Sequence, residues 1–347
     1  MEEPRGGVTV LKREKCDPSY RLYSSRGTES AHIIDLDGRV VHSWAYPQGH
    51  SWHYAELQPD GHLIAIVKDV MILELDWEGR LVWKAELRAH HDFARLPGGN
   101  TLVVSRERLP NPWVPGRELD LDRLVELTPG NEVAWEWRVE DHAEEIARIV
   151  PLQIPPSDHF NDWPHINTIE VLPDTPTARR DERFAPGNLL FCGRHIDTIG
   201  VIERGSGEVV WAWGPGELLG PHMPTMLPSG RLLVYDNGHN VAVRIRGYTR
   251  VLELDPLTGE IVWEFEGEPP ESFYSPARGS NQRLPNGNTL IAESDPGRTF
   301  EVTPEGETVW EFLCPDFYQN GRRMALYRTV AYPREFVDGL VAEHSGK

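Results

Sequence analysis

The sequence predicts an all-β chain, a six-bladed β-propeller with four-stranded antiparallel blades, and three observations lead there. A glycine, one variable residue, two largely apolar residues and a tryptophan recur as "GRLVW" (Trp83), "GEVVW" (Trp211), "GEIVW" (Trp263) and "GETVW" (Trp310), with looser copies "GNEVAW" (Trp135) and "GRVVHSW" (Trp44). These tryptophans recur at intervals of 39, 52, 76, 52 and 47 residues, of which all but the one that spans the longest insertion lie near the ~40 to 50 residues of a blade repeat. Composition agrees: 12 Trp, 31 Gly and 29 Pro, with few long helical periodicities, describe short strands joined by tight turns.

Each unit can be justified in order. Ahead of every Trp strand lies an apolar strand, such as "AHIIDLD", "MILELD", "RLVELT", "IGVIER", "RVLELD" or "TFEVT", joined to it by a turn as a hairpin. Five units carry an earlier hairpin: "ELQPDGHLIAI", "ARLPGGNTLVV", "EVLPDTP...PGNLLFC", "TMLPSGRLLVY" and "QRLPNGNTLIA". The first unit lacks inner strands and the chain ends on a strand-like "ALYRTVAYP", so the termini are expected to share one blade and remove free sheet edges. Residues 1–347 are expected to form a single domain, with an insertion at about 140–162 capping one face. Its "EDHAEEIARIV" has the apolar spacing of a short helix. The repeated Trp is expected to pack between sheets rather than to stack a cofactor.

A formal net charge of -19 disfavours nucleic acid or an anionic membrane as the main partner. No stretch reaches the ~18 apolar residues of a membrane span, and the N-terminal "MEEPRGGVTVLKREK" has no apolar core. Cys16, Cys192 and Cys314 stand at unrelated spacings, so neither a disulfide framework nor a CxxC metal site is indicated. A cytoplasmic location is the expectation, while oligomeric state is not legible.

Aligning the earlier hairpins on the proline before the turn exposes a row that the fold does not require. Six residues before Pro59, Pro97, Pro173 and Pro228 stand His53, His91, Asn167 and His222, and Gly279 holds that place before Pro285. These positions open the innermost strands, which line a propeller's channel. His165 lies two residues before Asn167, which on an extended strand gives both one face. His90 and His91 should diverge, and His91 is the one in register. Seven residues after the turn glycines Gly61, Gly99, Gly187, Gly230 and Gly287 come Lys68, Arg106, Arg194, Asn237 and Ser294. Three cations in five equivalent places favour a small anion in an otherwise acidic chain. Asp236, in "YDNG", is a candidate turn cap.

"HHDFARLPGGNTL", "DWPHINTIEVL", "GNLLFCGRHIDTIGVI", "GEVVWAWGPG", "PHMPTMLPSGRLLVYDNG" and "LPNGNTLIAES" together resemble the bacterial arylsulfate sulfotransferase family of six-bladed propellers, from about His53 to Pro333. The resemblance implies PAPS-independent transfer of a sulfuryl group from an aryl sulfate ester to a phenol, through a sulfohistidine intermediate with ping-pong kinetics. It places the nucleophile at His222 and sets His91, His165, Asn167 and Arg194 around the sulfate. His53, Lys68, Arg106 and Asn237 are the further substrate-binding candidates. Either His91 or His165 shuttles the proton. The expected partners are a small aryl sulfate and a phenol, with no cofactor and no metal. Known members are exported, with a signal peptide, a separate N-terminal β domain and a disulfide; this chain resembles a shorter, cytoplasmic branch.

The strongest rival is a metal-dependent lyase or hydrolase, in which the histidine ring and Asp92 or Asp236 hold Zn or Mn. Arg194 argues against it, since a guanidinium repels a metal and welcomes a sulfate. A non-enzymatic scaffold leaves the inner ring unexplained, and a quinone-cofactor dehydrogenase would carry vicinal cysteines.

Overall fold

The computed structural model describes residues 6–152, 154 and 156–345, so Gln153 and Pro155 of the expected insertion lie outside the described residues. The chain is a six-bladed β-propeller: six sheets have a four-stranded antiparallel core. It divides into two compact units, Met1–Glu86 with Arg278–Lys347, and Leu87–Ala277, each holding three blades.

In the first unit, the C-terminal strand Leu326–Tyr332 pairs with Tyr20–Ser25, followed by Ser30–Ile34 and Val40–Ala45. The two ends of the chain therefore complete one blade, as the leftover strand implied. Strand Gly7–Leu11 adds a fifth member outside Thr308–Leu313 of the preceding blade, covering an edge. Arg21 and Glu301 bridge these blades with both side chains fully buried, 2.5 Å apart. Asn288 and the Asp17 backbone amide also donate to Glu301, so the buried charge is fully engaged.

Two tryptophans of the series pack between sheets. Trp44 and Trp310 are buried and donate from Nε1 to Asp76 O at 3.0 Å and Leu36 O at 2.9 Å, each in the next blade of the same unit. An indole here fills the gap between sheets and satisfies its only polar atom.

In the second unit, the blades begin with Ala89–Arg95, Ile166–Val171 and His222–Met226. The helix Val139–Ile149 forms where the sequence periodicity placed it and buries Val139, Ala143 and Ile146 against a cluster that includes Trp137, Leu124 and Phe191. Every proline-aligned hairpin turns on a glycine with positive φ, from 84 to 92° at Gly61, Gly99, Gly187, Gly230 and Gly287. Only glycine takes that conformation without strain, which is why the repeat carries it.

The innermost strands are not regular. Pairing slips by one residue near His53, Asn167 and His222 and by two near His91, whereas the strand after Gly279 pairs without a slip. His91, His165 and Met223 take φ of 62, 65 and 48°. Left-handed backbone costs a non-glycine residue roughly 1–3 kcal/mol and concentrates at functional sites.

Candidate active site

Three imidazoles in the second unit are each held from behind by a different partner. His222 opens its strand and is 1% exposed. Its Nδ1 lies 2.7 Å from Asn237 Oδ1, and Asn237 Nδ2 donates to Ser275 O at 2.5 Å. A carbonyl can only accept, so Ser275 fixes which end of the amide faces the ring. The amide oxygen in turn demands a proton on Nδ1 and leaves the lone pair on Nε2.

His165 lies 2.5 Å through Nδ1 from Asp162 Oδ2, which also accepts from Arg106 Nη1 at 2.8 Å. Burial alone would raise the Asp162 carboxyl, but His165, His195 and Arg106 outweigh it and hold the group well below its ordinary value. Burial, with help from Arg194, lowers His165 against the pull of Asp162. The pair is thus an anion beside a neutral imidazole whose Nε2 is the working atom. His91 takes its orientation at second hand: His90 Nδ1 and His91 Nδ1 are 2.6 Å apart, and His90 Nε2 lies 3.1 Å from Asp122 Oδ1. The short contact between the two Nδ1 atoms sets the His91 ring against His90.

The rings gather closely. His91 and His165 have centroids 4.6 Å apart, and His165 and His195 are 4.5 Å apart. Arg194 binds His165 O through its backbone amide at 3.0 Å and donates from Nη2 to Pro276 O at 3.2 Å. Its charge helps to depress both His165 and His195, after burial. Asn167 is fully buried and donates to Pro221 O at 2.8 Å, next to His222, while Thr168 Oγ1 accepts from Met223 N at 3.0 Å.

His165 and Asn167 do not share one face. His165 precedes its strand in left-handed backbone and meets His91 of the preceding blade, whereas Asn167 reaches Pro221 of the following one. The pairing slip between Ile166 and Thr168 breaks the alternation on which that expectation rested. His90 and His91 do not diverge, for the same reason. Asn237 stands behind His222, and Arg106 acts on the site through Asp162. His53 and Lys68 belong to the first unit. Asp236 is fully buried and accepts from Leu219 N, Arg246 and Arg250, and Asp92 accepts from Phe93 N and Ile169 N. The carboxylates that meet the imidazoles are Asp162, at His165 and His195, and Asp122, at His90. The hairpin register did not reach Asp162, His195 or Asp122, and it set His90 aside for His91; the pair "RH" and the place of Asp162 three residues before His165 were the signals in the sequence.

Asp162, His165 and His195 offer ligand atoms within 4.8 Å of one another, enough to hold a cation. Asp162 Oδ2 is already shared between His165 and the Arg106 guanidinium, an arrangement suited to hydrogen bonding. Beside His195, a cavity of about 190 Å³ is lined by Leu152, Phe160, Trp163, Ile196 and Val243. That exceeds the ~150 Å³ of an apolar cavity known to take benzene.

A family model described as arylsulfotransferase (ASST) matches residues 55–314. No curated protein sequence matches. A protein of unknown function from Bacteroides caccae is similar in structure, at 16% identity over 91% of this chain and 99% of that one, TM-score 0.57. A catalytically inactive virginiamycin B lyase from Staphylococcus aureus with quinupristin is 13% identical over 89% of this chain and 88% of its own, TM-score 0.52. A streptogramin B lyase is 13% identical over 96% of both chains, TM-score 0.52. These likenesses show the fold alone.

Proposed function

Because the chain belongs to the arylsulfotransferase family, we propose that it moves a sulfuryl group from an aryl sulfate ester to a phenol, with no nucleotide donor, through a sulfated His222. The observation that carries this reading is the chain Ser275 O, Asn237, His222 Nδ1, which keeps the lone pair on Nε2. A neutral imidazole nitrogen is a competent nucleophile, and splitting the transfer in two gives each half an accessible barrier.

In the first half, Nε2 of His222 attacks sulfur as the aryl S–O bond breaks and its electron pair leaves on the phenolate. Arg194 and the Nε2–H of a protonated His91 or His165 steady the sulfuryl oxygens; such transfer asks mainly for alignment and fixed donors. Asn167 sets the Pro221–His222 backbone through its bond to Pro221 O. In the second half the acceptor hydroxyl attacks sulfur, the N–S bond returns its pair to His222, and an imidazole takes the phenol proton. His165 suits this exchange, since the Asp162 anion stabilises the imidazolium that forms. The imidazolium then protonates the next departing phenolate. The cavity beside His195 suits one aromatic ring of donor or acceptor.

Initial rates against varied p-nitrophenyl sulfate and phenol test the reading. Parallel double-reciprocal lines are expected, and intersecting lines would rule out the two-step route. The Asp162, His165 and His195 group supports a second reading, a metal-dependent lyase or hydrolase. Stoichiometric metal in the purified protein, with turnover lost on chelation, would favour it.

A further inference from the structure

A second cluster of basic side chains lies in the first unit and plays no part in the chemistry described above. Arg26, His50, His53 and Lys68 line a cavity of about 270 Å³ together with Gly49, Ser51 and Trp52. None of these lining residues is acidic, in a chain with 54 Asp and Glu against 35 Lys and Arg. We infer that this cavity is a binding site for a small oxyanion, a carboxylate or a sulfate.

The walls are built for it. Arg26 is half-buried, and its guanidinium is destabilised first by burial and then by the like charge of Arg278. An anion relieves both effects. Two carboxylates nearby have partners of their own. Glu29 accepts the backbone amides of Gln48 at 3.0 Å and His50 at 2.6 Å, and Asp295 is bonded to Arg278. His53 is held against Tyr327, with centroids 4.1 Å apart, so its ring forms a fixed wall. A planar guanidinium matches the two oxygens of a carboxylate or sulfate, and Lys68 adds a point charge. The volume exceeds what the anion itself needs, leaving room for a ring that bears it.

The anion can come free or as a substituent on a phenol, and direct binding separates the two without any need for turnover. Equilibrium dialysis is run with inorganic sulfate, 4-hydroxybenzoate and methyl 4-hydroxybenzoate. The proteins are the wild type, the double variant Arg26→Met with Lys68→Met, and Arg194→Ala. The double variant should bind sulfate at least tenfold more weakly at one site that Arg194→Ala retains, which marks a site for free oxyanions. A tenfold loss confined to 4-hydroxybenzoate, with sulfate and the ester unchanged, marks a site for an anionic substituent. Lys68→Arg alone, which keeps the charge, should retain most of the wild-type affinity in either case. Unchanged binding of all three probes by a double variant with wild-type circular dichroism and melting would overturn the inference. Failure of sulfuryl transfer would leave these binding measurements untouched.

Discussion

At the scale of single residues, the site assigns work by what stands behind each imidazole. A neutral amide behind His222 sets its tautomer without supplying charge, and a carboxylate behind His165 prepares that ring to hold a proton. Asn237→Ala frees the His222 ring to turn and to exchange tautomers. We expect kcat to fall about 100-fold with little change in donor KM, because a misoriented nucleophile costs rate rather than binding. The pH profile checks that the effect is one of positioning: the acid limb should move, as it would not if Asn237 only supported the fold. Sequence register picked out His222, His91 and Asn167 because proline and glycine anchor each hairpin at a fixed distance from its first residue. It could not pick out Asp162, His195 or His90. Their contacts depend on left-handed residues at 91 and 165, where the simple alternation of a strand fails.

At the scale of the strand, the second unit ties its blades together through side chains that cap backbone amides of the innermost strands. Asp122 accepts from Ile166 N at 2.5 Å, Asp92 from Ile169 N at 2.9 Å, and Glu170 from Met226 N at 2.8 Å. These bonds satisfy donors of strands that lie at the edge of their sheets. Glu170 gives the tie a pH dependence: burial, with the nearby Asp92 charge, raises its carboxyl to about 8 against the pull of the Met226 amide. Between its unfolded value near 4.5 and about 8, the folded chain binds the proton more than the unfolded chain does. Its contribution is therefore full at low pH and is lost as pH rises through about 8. Glu170→Gln keeps an acceptor for Met226 N and removes the charge. Thermal melts should show the variant gaining on the wild type above pH 8 and losing the advantage toward pH 5. The helix Val139–Ile149 was legible from its spacing, and the slips were not, since they follow from how neighbouring blades meet.

At the scale of the whole molecule, the repeat was the most legible feature, because six copies of one hairpin ending state the blade number directly. The joining of the two chain ends in one blade was legible from what the first repeat lacks. The ionic lock beside that closure was not, as Arg21 and Glu301 are separated by most of the chain and read singly as surface charges. Removing one partner leaves the other charged and buried, so Glu301→Ala should destabilise the protein by about 3–5 kcal/mol. Urea unfolding of the variant, followed by circular dichroism, measures this directly. Among the described residues no helix is long and apolar enough to cross a membrane.

The central claim is that His222 carries the sulfuryl group between donor and acceptor. Intact-protein mass spectrometry after brief mixing with excess p-nitrophenyl sulfate tests it most directly, on the wild type and on His222→Ala. The account predicts a gain of one sulfuryl group on the wild type, absent from the variant and discharged when a phenol is added. Turnover without any adduct, or the same adduct on His222→Ala, would contradict it.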